Sequence, residues 1–265
     1  MSIRTVPRCL FVVAVLLMTA TAAVAQAEPA ALAAVRVRVA HLAPFDGSDS
    51  ATIAVRIDDA AVGGTMAYGA HTDYIALAGG EESRLIEVLR DGEVIISEGH
   101  TLADGDTSIV VIGDDDLVPL DLLVIGENVD DPGEGRAGLR VTHVAVLGAT
   151  IEETKVDVCS QDGDIFNSSA AGLRYPRTTG NRLLPADDYD LKITRTNVAG
   201  DCAGLTVINP PPLTLAEGTK TNLFLVGDGA NQTLAVFTFE LGLIGDDNPQ
   251  PAGGTLFLPM LAASS

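Results

Sequence analysis

From Val35 onward, apolar positions recur at every second residue in short runs separated by Gly, Pro, Asn and Asp. In "VRVRVAH" (35–41) Val35, Val37 and Val39 alternate with Arg36, Arg38 and Ala40, the period of a strand with one face on a core and the other in water. "TIAVRID" repeats the pattern with Ile53, Val55 and Ile57. In "IEVLRDGEVII" the pair Asp91-Gly92 separates two apolar runs, and this dipeptide predicts a tight hairpin because such a turn requires positive φ. "SIVVIGD" and "LDLLVIGE" are continuous apolar runs of strand length, suited to central strands buried on both faces. "KVDVCSQDG", "YDLKITR" and "TNLFLVGDG" predict strands in the second half. No stretch beyond residue 27 sustains a helical period for ten positions; "EESRLIEVLR" comes nearest, and the hairpin turn straight after it favours strand.

The elements come twice, in the same order. "VRVRVAHLAP" (35–44) faces "AGLRVTHVAV" (137–146), which sets His41 opposite His143, and "TLADGDTSIVVIGD" (101–114) faces "TLAEGTKTNLFLVGD" (214–228). Each half is followed by an acidic stretch rich in Pro and Gly, "GENVDDPGEG" and then "IGDDNPQPAGG". Chance yields one short echo but not several in register. Each module is about 100 residues of short strands with turn signals between them, the size and rhythm of a β-sandwich. The expected class is all-β: two tandem sandwiches with cores of Val, Ile, Leu and Ala, since the chain has no Trp.

Tyr68-Gly69 and Tyr74 in the first module, Tyr175 and Tyr189 in the second, and "KVDVCSQDG" and "LLPADDYDLKI" complete a pattern. It resembles the bacterial DUF4397 family, a domain of unknown function, and the likeness covers 35–127 and 138–241. That resemblance implies exported, immunoglobulin-like sandwich modules, often in tandem and without a defined activity. The loop after the first strand departs from the family's D-A-P: it reads "FDGSDS" in one module and "LGATIEE" in the other.

The first 27 residues change the address. Arg4 and Arg8 precede an apolar run, Cys9 to Met18, and small residues follow in "TATAAVAQA", the parts of a secretory signal with cuts after Ala25 or Ala27. The run is too short to span a bilayer, which takes about 20 residues. Export permits disulfides, and the two remaining cysteines, Cys159 and Cys202, lie 43 residues apart, so one bridge between them is expected. Two of the 16 basic residues and none of the 36 acidic ones lie in 1–27, which leaves 14 against 36, a formal charge of −22. That sign repels phosphate backbones and anionic lipid, so nucleic acid and membrane surfaces are not expected as partners, and the apolar runs are too short for an integral membrane span in the mature chain. It also keeps an exported protein dispersed.

Candidate chemistry is sparse. His41 and His143 each close the first strand of a module, and equal placement in two copies points to a structural duty, such as a hydrogen bond to a loop at the sandwich end. His71 and His100 fall in what read as polar turns. The sequence contains no G-x-S-x-G, H-E-x-x-H, CxxC or phosphate-binding glycine loop, so catalytic residues, cofactor and metal ligands are all assigned as none. The acid-rich turns "DGD" (104–106), "GDDD" (113–116) and "QDGDIFN" (161–167) offer oxygens for weak Ca²⁺ binding, although Asp is favoured in turns for its own backbone bonds. The apolar stretch in "TLFLPMLAASS" (255–265) reads either as a sorting tag or as a strand on a sheet edge.

The expected organisation is therefore a signal peptide (1–27), a first module (35–127), a linker (128–137), a second module (138–243) and a linker with apolar tail (244–265). The expected role is an exported, non-enzymatic surface or extracellular interaction or scaffold element, its partner an unknown protein or envelope component. A calcium-stabilised structural module is the alternative, and a hydrolase at the inter-module groove a remote one.

Overall fold

The computed structural model describes residues 35–45, 52–79, 82–127, 130–160, 172–196 and 202–240, together with the backbone of 254–257. The expected export signal, the acid turn at 161–167 and most of the apolar tail lie outside them. The protein is all-β, and among the described residues no α-helix occurs. The first module contains β1 (Val35–His41), β2 (Thr52–Ile57), β3 (Ala60–Ala67) and β4 (Ile75–Leu77). It continues through β5 (Ser83–Arg90), β6 (Glu93–Thr101), β7 (Gly105–Ile112) and β8 (Asp121–Gly126). The second opens with β9 (Arg136–His143), which starts inside the expected linker, then a single 3₁₀ turn (Ile151–Thr154) and β10 (Val156–Ser160). It goes on with β11 (Arg177–Thr178), β12 (Arg182–Pro185), β13 (Asp187–Tyr189), β14 (Leu191–Arg195) and β15 (Thr206–Ile208). β16 (Leu213–Leu215), β17 (Lys220–Val226), β18 (Ala235–Glu240) and β19 (Gly254–Phe257) complete it.

Asp91 and Gly92 both take positive φ, 53° and 84°, and turn β5 into β6 as the dipeptide predicts. The strand order β3-β2-β5-β6 forms one sheet of the first module and β4-β1-β7-β8 the other. In the second module β9, β17, β18 and β19 form a sheet whose far edge holds β11 and β12, and β10-β14-β15 lies opposite, with β13 and β16 as a separate pair. In both modules the first strand runs parallel to the strand of the second repeat, β1 to β7 and β9 to β17. The register matches as well: His41 faces Val111, and His143 faces Leu225. The backbone of Gly254–Phe257 adds antiparallel to the outer edge of β18, the strand alternative for the tail.

Each module has its own interior, one including Val37, Ile53, Ile86 and Ile109 and the other Leu139, Val158, Ile193 and Leu223. A third interior lies between them. On β7, Ile109 and Val111 face the first module's core, while Val110 and Ile112 face the shared cluster. On β17, Leu223 and Leu225 face the second module's core, while Phe224 and Val226 face the shared one. Because successive side chains in a strand point to opposite faces, the two inner sheets must lie face to face, and both runs are buried on both sides. The described residues accordingly fall within one compact unit, Leu32–Ser265.

This corrects one expectation from the pattern. The second face of β1 is not wet: Arg38 is only 6% exposed and Ala40 is fully buried, because the partner module covers them. The shared interior also holds aromatic rings, Phe224, Phe237, Phe239 and Tyr175, where the sequence predicts aliphatic cores.

Cys159 and Cys202 form a disulfide with Cα atoms 6.1 Å apart, tying the edge strand β10 to the segment before β15. Closing a loop of 43 residues stabilises the chain by about 3–4 kcal/mol in the chain-entropy account. Replacing both cysteines by Ala should lower the urea midpoint correspondingly. A midpoint that moves by less than about 1 kcal/mol equivalent would show that the denatured chain already holds these segments together.

Candidate functional site

At the end of each module's first strand, matching side chains occupy matching stations on the face turned to that module's own core. His41 is buried, its ring 5.0 Å from that of Phe45 and edge-on to Tyr68 at 6.1 Å. His143 is buried edge-on to Tyr175 at 6.3 Å, and its Nε2–H donates to the Thr154 carbonyl at 2.6 Å. That bond ties the 3₁₀ turn after β9 to the end of the strand, the loop-holding duty expected from sequence. Neither ring nitrogen of His41 meets a hydrogen-bond partner among the described residues. Burial holds both imidazoles at about 4, the bond to Thr154 pulling His143 weakly the other way. They are neutral and enclosed at neutral pH, which suits structure better than proton transfer.

Two threonines that sequence reasoning passed over do related work. The Val39 N–H donates to Thr72 Oγ1 at 3.0 Å and the Thr72 N–H returns to the Val39 carbonyl at 2.8 Å. Val141 and Thr179 repeat the exchange at 2.9 and 2.8 Å. The signal was present, since Tyr68 and Thr72 are spaced like Tyr175 and Thr179, but the residues between them differ.

The acid turn at 113–116 is occupied by its own backbone. Asp114 Oδ1 accepts from the N–H groups of Asp116, Leu117 and Val118 at 3.2, 3.0 and 2.8 Å. Asp228, its counterpart, accepts from Ala230, Asn231 and Gln232 at 3.0, 2.8 and 2.8 Å. Asp106 takes a two-pronged bond from Arg36 at 2.7 and 2.8 Å. Among the described residues no group of three or more His, Cys, Asp or Glu is placed to hold a metal ion. Both turns also reach across the junction. The Asp228 charge, after burial, raises the Tyr68 hydroxyl above its ordinary range, and Asp114 and Asp121 do the same for Tyr175.

One wall of the junction is polar. Glu127, with no exposed surface, accepts from Arg38 Nη2 at 2.8 Å and from the hydroxyls of Ser108 and Tyr74. The Arg38 guanidinium stacks 4.0 Å from the centre of the Phe239 ring and donates to the Glu240 carbonyl at 3.1 Å, both in the second module. From that module Arg140 reaches back to the Gly126 carbonyl at 2.9 Å. Burial lifts the Glu127 carboxyl to about 7, against the attraction of Arg38 and Arg140.

His71 belongs to the junction too, where the sequence reads a polar turn: its ring lies edge-on to Phe239 at 5.5 Å and Phe237 at 5.9 Å. His100 is likewise no turn residue; it sits on β6, paired with Glu98 at 3.0 Å. Beside β8 runs a cleft of about 410 Å³, walled by Leu123–Gly126 on one side and by Arg140 and Pro176–Thr179 on the other. A second cleft of about 410 Å³ adjoins it at Pro176 and passes Val118–Asp121.

This geometry defines an all-β protein of two sandwich-like modules joined through their inner sheets, with its open grooves beside the seam. Residues 35–152 match the family model described as a domain of unknown function, DUF4397. No curated protein matches the chain.

Proposed function

We propose that this chain is an exported, non-enzymatic interaction or scaffold protein of the cell surface or extracellular space, built from two immunoglobulin-like copies of the DUF4397 domain. The observation that carries the reading is the matching use of matching residues: Thr72 and Thr179 bond the backbones of Val39 and Val141, Asp114 and Asp228 bond their own turns, and His143 holds the Thr154 carbonyl. Side chains with reactive potential are thereby committed to holding the fold, and commitment in both copies supports a second domain copy in 138–243. A formal charge of −22 beyond residue 27 suits a dispersed protein facing the medium.

Expression of the full chain in a bacterial host, followed by fractionation and intact-mass measurement, tests the address. The expected product lies outside the cytoplasm, begins at Gln26 or Glu28, and resists alkylation at Cys159 and Cys202. A cytoplasmic product that retains Met1 and alkylates at both cysteines would overturn the proposal. For the interaction half, the mature chain on beads should retain a defined envelope protein or glycan, and retention should weaken with salt. Beads that retain nothing from envelope material sink that half.

A further inference from the structure

The two inner sheets are equivalent strand for strand, yet one edge carries an added strand and its counterpart carries none among the described residues. On the filled side β18 carries β19, with Val236 opposite Phe257 and Thr238 opposite Thr255. Through the pairings of β7 with β8 and of β17 with β18, Leu122 corresponds to Val236 and Val124 to Thr238. Beyond β8, however, no strand follows among the described residues.

The backbone groups on that edge can be assigned. The Glu127 N–H donates to the Asp106 carbonyl at 2.8 Å, so the odd-numbered residues of β8 turn their groups toward β7 and the even-numbered ones face outward. Two outward groups are already capped: the Leu122 N–H by Asp121 Oδ1 at 2.8 Å, and the Gly126 carbonyl by Arg140 at 2.9 Å. Val124 between them has neither its N–H nor its carbonyl paired among the described residues. The groove of about 410 Å³ described above lies along this edge, and the arginines in its far wall are Arg140 and the exposed Arg177.

We propose that the outer edge of β8 is a strand-addition site for an extended segment of a partner protein that joins a short apolar run to a carboxylate. Main-chain bonds to Val124 supply the docking and the guanidinium wall selects the acid. The chain itself shows the fitting chemistry: its residues 246–258, "DDNPQPAGGTLFL", unite two aspartates with the segment that fills the equivalent edge. A partner suits the site better than a second copy, because each tail moved from β18 to a neighbour's β8 would open one edge for every edge it closed. The inference rests on the reading of the chain as an interaction module and names the surface that would serve it.

The test titrates the isotope-labelled mature chain with a synthetic peptide of residues 246–258, reading amide shifts and hydrogen exchange. The expected result is saturable binding that slows exchange at Val124 and Gly126 by roughly tenfold or more and leaves β18 unchanged. Val124→Pro removes the outward N–H at an edge position that tolerates proline, and should weaken binding roughly tenfold. Arg177→Glu, an exposed change away from the strand, should also weaken it, which guards against misfolding of the first variant. No binding at peptide on the order of millimolar, protection on β18 in place of β8, or binding unmoved by both variants would overturn the site. Protection of Val124 in the protein alone that grows with its concentration, and vanishes when 251–265 are removed, would overturn the partner in favour of a second copy. Failure here leaves the export and envelope-capture results standing, so the two proposals fall separately.

Discussion

Acidification from about pH 7 to about pH 4.5 should destabilise the folded chain by roughly 2 kcal/mol, the net of two opposed titrations. Burial depresses His41 and His143 from 6.5 to about 4. A depressed base stabilises the fold while neutral, so this contribution is present above 6.5 and drains away as pH falls toward 4. Each imidazole accounts for up to roughly 3 kcal/mol. Glu127 acts in the opposite sense, because burial raises it from 4.5 to about 7. Its contribution is whole below 4.5 and is lost as pH rises through 7. Inside that window the unfolding chain takes up about two protons on the histidines and releases about one from Glu127, so stability should climb by roughly 1.4 kcal/mol per pH unit. Urea melts across the window measure the slope. His41→Phe keeps an aromatic ring against Phe45 and Tyr68 and should flatten it; Glu127→Gln should roughly double it. A flat or descending curve in the parent chain would mean that one of these groups is solvated in the folded state.

The parts of the fold legible in the sequence are those set by local rules. Alternation placed β2, with Ile53, Val55 and Ile57 inward, and Asp91-Gly92 placed the β5–β6 turn because its backbone needs positive φ. The continuous apolar run around Val110 pointed to burial on both faces, and Leu223 to Val226 is its twin. What covers the second face could not be read, since nothing local distinguishes a sheet packed on its own domain from one packed on a neighbour. Arg38 shows the difficulty. An arginine in an alternating strand reads as solvent-facing, and its burial depends on Glu127, 89 residues away, and on Phe239, 201 residues away. Thr72 and Thr179 stayed hidden for a related reason: their duty is a bond to the Val39 or Val141 backbone, and such a bond leaves no mark on hydrophobic period. The histidine pair was visible through the matching stretches, but the burial that keeps it neutral was not. For the seam, therefore, the sequence supplied matching stretches, and only the packing brought them together.

Phe224→Ala should cost about 3–5 kcal/mol and loosen both modules at once. The ring is fully buried in the shared interior, 4.9 Å from Phe239 and across the strand pair from Phe237, so its removal opens a cavity between the two inner sheets. Leu223→Ala, one residue earlier, points into the second module's own core and should cost about 2–5 kcal/mol there while leaving the first module's protection nearly intact. Hydrogen exchange separates the cases: amides of Val55 and Val88 report the first module, and those of Val158 and Ile193 the second. If the shared cluster couples the modules, the phenylalanine variant accelerates exchange at all four positions and the leucine variant only at the last two. Should Phe224→Ala leave Val55 and Val88 as slow as before, the seam would be a contact without mutual support, and the modules would be stable separately. A coupled seam also keeps the β8 edge beside Arg140, a residue of the other module, so the groove's geometry holds only while the third interior does.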